Sequence, residues 1–342
     1  MADLARASRE LFRRAPDEYV SDLAALAARC REQRERSQDR WQLPQTIRPV
    51  VAAGRVGVEL GSDGAFELND WSFSQLCRFA AVAKDTVNKL SAETAAKALA
   101  ETLPVAKRPT QVLTEGTRVR SVHGTNYERL WNSELLAVVQ EFATDFMEPP
   151  RGFNGATGLY LGEQDLFCFL IDPTGWVEVE KEAFAPGLFV WNSEVGRRTV
   201  GVSTFWMQGV CGNHLIHGSR DAVETEWKHT GKVSEALKGI RRAIEVTVQK
   251  RDERKDDFAR LIRKAMEERL AEDAEEAMKA LAQHGVLQRL AKEAVNLTLE
   301  AGKRFTLFNL VDALTRIARE IPYAGDRAEA DEKASRLLSL AR

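Results

Sequence analysis

Cysteine is scarce in this chain, and long apolar runs are missing. The 342 residues contain four cysteines, Cys30, Cys77, Cys168 and Cys211, and no CxxC pair. This pattern argues against a disulfide framework and predicts buried, reduced thiols. No stretch reaches the roughly 18 uninterrupted apolar residues that a membrane span needs, and the N-terminal residues lack the apolar segment of a secretory signal. We therefore expect a cytoplasmic protein with no membrane partner.

The common catalytic sequence motifs are missing too. There is no P-loop, no G-x-G-x-x-G after a strand, no H-E-x-x-H and no G-x-S-x-G. Their absence argues against the common NTPases, dehydrogenases, zinc proteases and α/β-hydrolases. The net charge of −2 gives no global reason to expect a nucleic-acid partner, so such a partner must be argued from local patches.

Hydrophobic patterning divides the chain into three parts. Residues 1–46 are predicted to be a charged helical arm, 47–232 an α+β core domain and 233–342 a helical C-terminal region. β-Formers flank the turns at 61–64 and 162–165, which predicts two hairpins. A stripe from Leu237 to Ala265 predicts one long amphipathic helix. The predicted fold is α+β, with a mainly antiparallel central sheet, helices on one face and a long helical C-terminal region.

The segment Asn192–Arg198 (NSEVGRR) lies between two predicted strands, Leu188–Trp191 and Thr199–Met207. A plain β-turn accounts for its Asn, Ser and Gly residues. Arg197 and Arg198 add planar donors that suit phosphate or carboxylate groups. Alternatively, Glu194 simply pairs with one of these two arginines.

Two histidine-containing segments follow. Cys211–His217 contains C-x2-H-x2-H, and His229 or Glu194 could complete a zinc site, but the spacing matches no zinc-finger pattern. A Cys211 nucleophile paired with His214 or His229 is a second alternative. We favour Asn213 and His214 as hydrogen-bonding groups for phosphates or bases, and expect no metal and no cofactor. His229 is either an acid–base group or a partly buried histidine.

Positive charge is concentrated between Lys228 and Lys264. This stretch has twelve Lys or Arg and six Asp or Glu residues, a local net of about +6, which favours attraction of phosphates. Cations beside aromatic residues are typical of single-stranded nucleic-acid binding, and four aromatic residues lie nearby in the sequence. They are Trp191, Phe205, Trp206 and Trp227. Phe205 and Trp206 cannot both face inward on one regular strand.

Three segments together resemble a known family. They are NGATGLYLGEQDLFCFLID, GLFVWNSEVGRRTVGVSTFWMQGVCGNHLI and KHTG. This combination is similar to the prokaryotic phage/plasmid-like family that carries a domain of unknown function (type 932), and FSQLCRFA and VDALTRIARE also look similar. The resemblance runs from Asp70 to the C-terminus. It implies carriage on mobile elements, often beside DNA-maintenance or antirestriction genes, and implies no particular reaction. The matching positions are Asn192, Ser193, Glu194, Gly196, Cys211, Asn213, His229 and Gly231.

The leading hypothesis is a phage- or plasmid-type protein that binds single-stranded DNA in recombination, annealing or mobile-element maintenance, and acts as a homo-oligomer. Its predicted nucleic-acid-binding residues are Arg120, Asn192, Arg197, Arg198, Asn213, His214, Lys228, Lys238, Arg241 and Arg242. One alternative is an enzyme acting on a nucleotide or nucleic acid, with Glu194 and His229 as an acid–base pair. The other is a structural or interaction protein without catalysis.

Overall fold

Two β-sheets with helices packed on them form the protein. The computed structural model describes residues 10–52, 54–150, 158–209, 214–215, 225–231 and 233–341. The described strands are β1 (Glu18–Val20), β2 (Ser37–Gln42), β3 (Ile47–Ala52), β4 (Arg55–Leu60), β5 (Ala65–Leu68), β6 (Thr110–Glu115), β7 (Arg118–His123), β8 (Leu159–Leu161), β9 (Leu166–Ile171), β10 (Val177–Val179), β11 (Glu182–Asn192), β12 (Val200–Gln208), β13 (His214–Leu215) and β14 (Thr225–Trp227).

Helices make up the rest of the regular structure. The described α-helices are α1 (Leu23–Glu35), α2 (Asp70–Phe79), α3 (Lys84–Val87), α4 (Ala92–Thr102), α5 (Asn132–Phe142), α6 (Val233–Gln249), α7 (Arg251–Glu267), α8 (Ala274–Gln283), α9 (Gln288–Glu300), α10 (Leu307–Ala318) and α11 (Ala324–Ser335). The α+β class and the helical C-terminal region are confirmed. No described helix is long and apolar enough to cross a membrane.

The smaller sheet has the strand order β2-β6-β7-β5-β4-β3 in the described part of the chain. Its pairs are antiparallel except β5 and β7, which run parallel. Helices α2 and α4 bury Phe73, Leu76 and Leu99 against this sheet. The predicted turn at 61–64 joins β4 and β5, which pair as a hairpin.

The larger sheet has the order β1-β8-β9-β11-β12-β13, with β10 paired to β11 and β14 paired to β12 within the described residues. Its described strand pairs are all antiparallel. The predicted turn at 162–165 joins β8 and β9. At the centre, β11 and β12 form a long hairpin that pairs Val190 with Val202 and Trp191 with Gly201. Successive side chains on a strand point to opposite faces, so Val190 and Trp191 lie on different sides of this sheet.

Both faces of the larger sheet are covered. Helices α1, α5 and α6 pack on the face that carries Leu188, Val190 and Val202. Helix α11 packs on the opposite face, where Ala324 and Ala328 meet several aromatic rings. Phe205 and Trp206 are therefore both buried on one regular strand, because each faces a covered side. Trp206 stacks on Phe258 of α7 with ring centroids 3.9 Å apart.

Two predicted helices end earlier than expected. The charged helical arm was predicted over residues 1–46, but α1 ends at Glu35 and Ser37–Gln42 forms β2 against β6. The predicted long helix is broken at Lys250, between α6 and α7. The two halves belong to different hydrophobic clusters: Ile240 of α6 packs with α1 and α5 on the larger sheet, whereas Ile262 of α7 belongs to the cluster that includes α8, α9 and α10. The boundaries at residues 46 and 232 stay predictions.

Candidate functional site

The turn between β11 and β12 lies where the two sheets meet. It spans residues 193–199, and the strand–turn–strand arrangement is as predicted. Gly196 has φ +70° and donates its N–H to the Ser193 carbonyl, 3.0 Å away. A Cβ atom at this position would lie 2.6 Å from Cε1 of His123. Both the left-handed backbone and the close ring therefore require glycine here.

Glu194 is buried at the centre of this junction, with 2% of its surface exposed. Its Oε2 lies 2.8 Å from Nη1 of Arg120, and its Oε1 accepts the Asn132 backbone N–H at 2.7 Å. Arg120 comes from β7 of the smaller sheet, and Asn132 begins α5. The alternative in which Glu194 pairs with Arg197 or Arg198 is therefore wrong, and the carboxylate instead links the two sheets. Arg120 is buried as well, which keeps its charge away from the surface.

The two residues before Glu194 are also buried and bonded internally. The Asn192 side chain donates to the Leu130 carbonyl at 2.9 Å and to Oδ1 of Asn132 at 2.8 Å. The Ser193 hydroxyl donates to the Gln164 carbonyl at 2.6 Å and accepts the Arg197 backbone N–H at 2.8 Å. Asn192 was a predicted nucleic-acid contact, but in this position it holds the start of α5 against the end of β11.

A clamp on the turn's carbonyl groups was not predicted from the sequence. The Tyr127 hydroxyl donates to the carbonyls of Ser193 and Glu194, at 3.2 and 2.9 Å. Arg129 donates to the Glu194 carbonyl and pairs with Asp39 at 2.8 Å. Both residues come from the irregular segment between β7 and α5. Polar side chains in an irregular segment carry no periodic signal, so only the fold shows that they reach the turn.

Two histidines flank Tyr127: His229 is buried and His123 is partly buried. The His123 ring stacks on Tyr127 with centroids 3.7 Å apart, and the His229 ring lies 5.4 Å from Tyr127. Burial lowers the pKa of His123 to about 3, helped by the nearby Arg129 charge, and burial also lowers the pKa of His229. Desolvation disfavours the charged imidazolium, so both rings are neutral at pH 7. Nδ1 of His229 lies 3.2 Å from the Glu128 carbonyl.

The contacts of Glu194 and His229 bear on the acid–base hypothesis. Among the described residues, no hydrogen bond or ion pair joins the Glu194 carboxylate to the His229 imidazole. The carboxylate is occupied by Arg120 and a backbone N–H, and the imidazole lies beside Tyr127 and a carbonyl. Instead, both side chains support the packing around the turn.

Arg198 attaches the C-terminal helix to the larger sheet. Its guanidinium lies 3.2 Å from Asp165, 2.8 Å from Asp326 and in contact with Glu329. The last two carboxylates belong to α11. Burial raises the pKa of Asp165 to about 6, against the opposing effect of Arg198 and Arg14. Arg198 was predicted to bind nucleic acid, but three carboxylates already compensate its charge.

Arg197, by contrast, is exposed and belongs to what we call the Trp71 cluster: Trp71, Arg78 and Arg197. The two guanidinium carbons lie 5.9 and 5.8 Å from the Trp71 ring centroid, within cation–π range. The Trp71 indole N–H donates to the Val195 carbonyl at 2.7 Å, which fixes the ring against the turn. Both arginines are exposed, and neither forms an ion pair with a described residue.

A cavity of about 390 Å³ opens on the other side of Arg197. Its aromatic wall is formed by Phe167, Phe189 and Trp191, on the sheet face that α11 covers. Trp191 packs over Gly201, where a Cβ atom would lie 2.2 Å from the indole ring. The rim has hydroxyl and carboxylate groups, and Arg198 lies beside it. We use the term rim for the polar lining residues Thr199, Ser203, Glu226, Glu329 and Glu332, of which Ser203 is buried.

The remaining predicted cations are spread over two faces. Lys228 is exposed and directly follows β14, which contributes Glu226 to the cavity rim. Lys238, Arg241 and Arg242 are exposed on α6, which packs on the sheet face opposite the cavity. Lys238 pairs with Glu235, and Arg241 pairs with Glu245 and lies 4.1 Å from the Phe142 ring centroid. These cations therefore do not line one groove with Arg197.

The segment after β12 falls largely outside the described residues. Asn213, Cys211 and His217 lie there, and only the backbone of His214 is described, as part of β13. The three described cysteines are buried free thiols. Among the described residues, no group of three or more His, Cys, Asp or Glu side chains lies together as a metal site would require.

Fold and turn together define an α+β protein in which one polar turn joins two antiparallel-rich sheets. Residues 119–337 match the family model described as Domain of unknown function (DUF932), which covers 219 of the 342 residues. The chain belongs to this family, and the sequence-based resemblance is confirmed, although the match begins at residue 119 and not at Asp70. No curated protein and no solved structure shows significant similarity to the chain.

Proposed function

We propose that this protein binds single-stranded DNA along the Trp71 cluster. The observation that carries the proposal is an indole ring fixed by a backbone hydrogen bond and flanked by two exposed guanidinium groups. Single-strand binding proteins combine such parts, because every base offers a face for stacking and every linkage offers a phosphate. The two arginines are free of ion pairs with described residues, so they can turn toward phosphates without breaking a salt bridge.

The charges around the turn determine the path of the DNA strand over the surface. The carboxylates of Glu226, Glu329 and Glu332 face the cavity and repel phosphates from that side. Arg78 and Arg197 lie on the other side of the turn, with Lys228 exposed near the rim. The sugar–phosphate backbone thus follows the arginines and stays outside the cavity. The family resemblance to phage and plasmid proteins favours DNA as the strand, in recombination, annealing or mobile-element maintenance.

Fluorescence anisotropy with a labelled dT oligomer tests this proposal at two salt concentrations. We expect binding at low salt that weakens as salt rises, and weaker binding to the duplex. Replacing two phosphate-binding arginines, Arg78→Ala with Arg197→Ala, should reduce the salt slope by about 1.4, since each single-strand contact contributes about 0.7. Trp71→Leu removes the stacking face and should weaken binding at least about fivefold with an unchanged slope.

Two further double variants locate the surface. Arg289→Ala with Lys292→Ala removes exposed charges on α9, away from both sheets, and should leave binding unchanged. Lys238→Ala with Arg242→Ala removes charges on α6; a loss of affinity here, with none for Arg78 and Arg197, would transfer the binding surface to α6. An absence of binding at low salt would overturn the proposal. Light scattering on the same samples tests the predicted homo-oligomer.

A further inference from the structure

We infer that the cavity beside Arg197 takes one unstacked nucleobase that carries an exocyclic amino group. The inference rests on the proposed function, since the strand must first lie along the Trp71 cluster. Arg197 contacts the Trp71 ring and also lines the cavity, so a strand held by this arginine passes directly over the opening. The cavity volume of about 390 Å³ lies within the range of about 300–1,000 Å³ for small-molecule sites.

The wall of the cavity suits a flat ring. Phe167 and Phe189 are almost fully buried, whereas Trp191 is partly accessible. The Trp191 ring is tilted by 31° on Phe189, with centroids 5.2 Å apart, and it approaches the Gly201 backbone closely. The Phe189 ring and the Gly201 backbone thus hold the indole in place. A base that leaves the stack of a single strand can pack on such a surface.

The rim specifies the chemistry of the ring. Three carboxylates line the cavity, and ionised carboxylates accept hydrogen bonds but donate none. Arg198 adds no free positive charge, because Asp165, Asp326 and Glu329 already surround it. A rim rich in acceptors favours bases that present amino hydrogens. Glutamate accepts from the N4 amino group of cytosine, whereas thymine presents a carbonyl oxygen and a methyl group at the same edge.

The structure therefore predicts a preference between two bases of the same size. Anisotropy titrations with labelled dC and dT oligomers of equal length give the preference as a ratio of two dissociation constants. We expect the wild-type protein to bind the dC oligomer at least about fivefold more tightly. Glu226→Gln with Glu332→Gln should move this ratio toward one, because an amide can also donate to the thymine carbonyl. Glu329 is left unchanged, since its pair with Arg198 holds α11 on the larger sheet. Among the described residues, Glu332 pairs only with the exposed Arg336, and Glu226 accepts from the Thr199 hydroxyl, so these two carboxylates can be replaced with less effect on the fold.

Two more variants keep the outcome interpretable. Glu67→Gln changes an exposed carboxylate on the smaller sheet and should keep the dC preference. Trp191→Leu should weaken dC binding more than dT binding, and thermal unfolding of each variant checks that the fold is intact. Equal binding of both oligomers by the wild-type protein, or a preference retained in the double variant, overturns base capture and leaves the proposed function standing. Failure to bind either oligomer overturns both.

Discussion

The end of β11 and the turn that follows it have an inner half, Asn192–Val195, and an outer half, Gly196–Thr199, and the two differ in what their polar groups contact. In the inner half, every residue is buried and bonded to another part of the chain. In the outer half, Arg197 reaches solvent and forms no ion pair with a described residue. Polar residues in one short motif thus differ in role: those of the inner half assemble the sheets, whereas Arg197 stays available for the proposed contact with DNA.

The two neighbouring arginines show what separates these roles. Arg198 turns toward the sheet face covered by α11 and meets three carboxylates there. Arg197 turns outward, onto Trp71. Both residues lie in the irregular bend between β11 and β12, and their contacts show that adjacent residues of the same type can serve the interior and the surface. Charge alone does not distinguish a structural arginine from a binding arginine.

Glu194→Gln tests the inner half and should have the largest effect. The substitution keeps the shape but removes the closer ionised partner of the buried Arg120, at 2.8 Å, and leaves only Glu115 at 3.6 Å. Removing one member of a buried ion pair costs about 3–5 kcal/mol, and urea unfolding measures this as a loss of unfolding free energy. Glu67→Gln is the control, since its pair with Arg118 is more than half exposed and should cost less than about 1 kcal/mol. Equal losses for the two variants would contradict the assembly role.

Gly196→Ala tests the boundary between the two halves. Gly196 and Gly231 both have φ +70°, so alanine incurs the same backbone strain at either position, about 1–2 kcal/mol. Only at position 196 does the new Cβ meet a neighbour, His123 Cε1 at 2.6 Å. Gly196→Ala should therefore lose about 1–3 kcal/mol more unfolding free energy than Gly231→Ala. Similar losses of unfolding free energy would show that the His123–Tyr127 stack can move aside at little cost.

The sequence predicted local features of the fold better than long-range ones. The α+β class, the hairpins at 61–64 and 162–165, and the β11–β12 turn each depend on residues close in sequence, and each is present. The break at Lys250 was missed because the apolar stripe continues through it, while the two helices pack against different partners. The division of the strands between two sheets depends on pairings such as β2 with β6, which hydrophobic patterning does not specify.

The same limit applies to the candidate site. The turn was identified from its polar residues, yet its partners Arg120, Tyr127, Arg129 and Trp71 come from distant parts of the chain. Nothing in a single sequence shows that Trp71, at the start of α2, bonds to the carbonyl of Val195. The basic stretch from Lys228 to Lys264 predicted one charged face, but α6 and α7 are separate helices and several of their cations pair locally. The net charge of a sequence segment is therefore weaker evidence for a binding surface than the cations that the fold leaves unpaired.

Arg197→Ala tests the outer half and should have the smallest effect on stability. The side chain is exposed and lacks an ion pair with described residues, so its removal should change the unfolding free energy by no more than about 0.5 kcal/mol. Arg198→Ala is the matched comparison one residue away. It removes a positive charge that compensates the buried Asp165 carboxylate. We expect it to lower the unfolding free energy by several kcal/mol, on the order of other broken buried pairs. If Arg197→Ala were as destabilising as Arg198→Ala, the outer half would also be part of the assembly, and Arg197 would not be free to reach a phosphate.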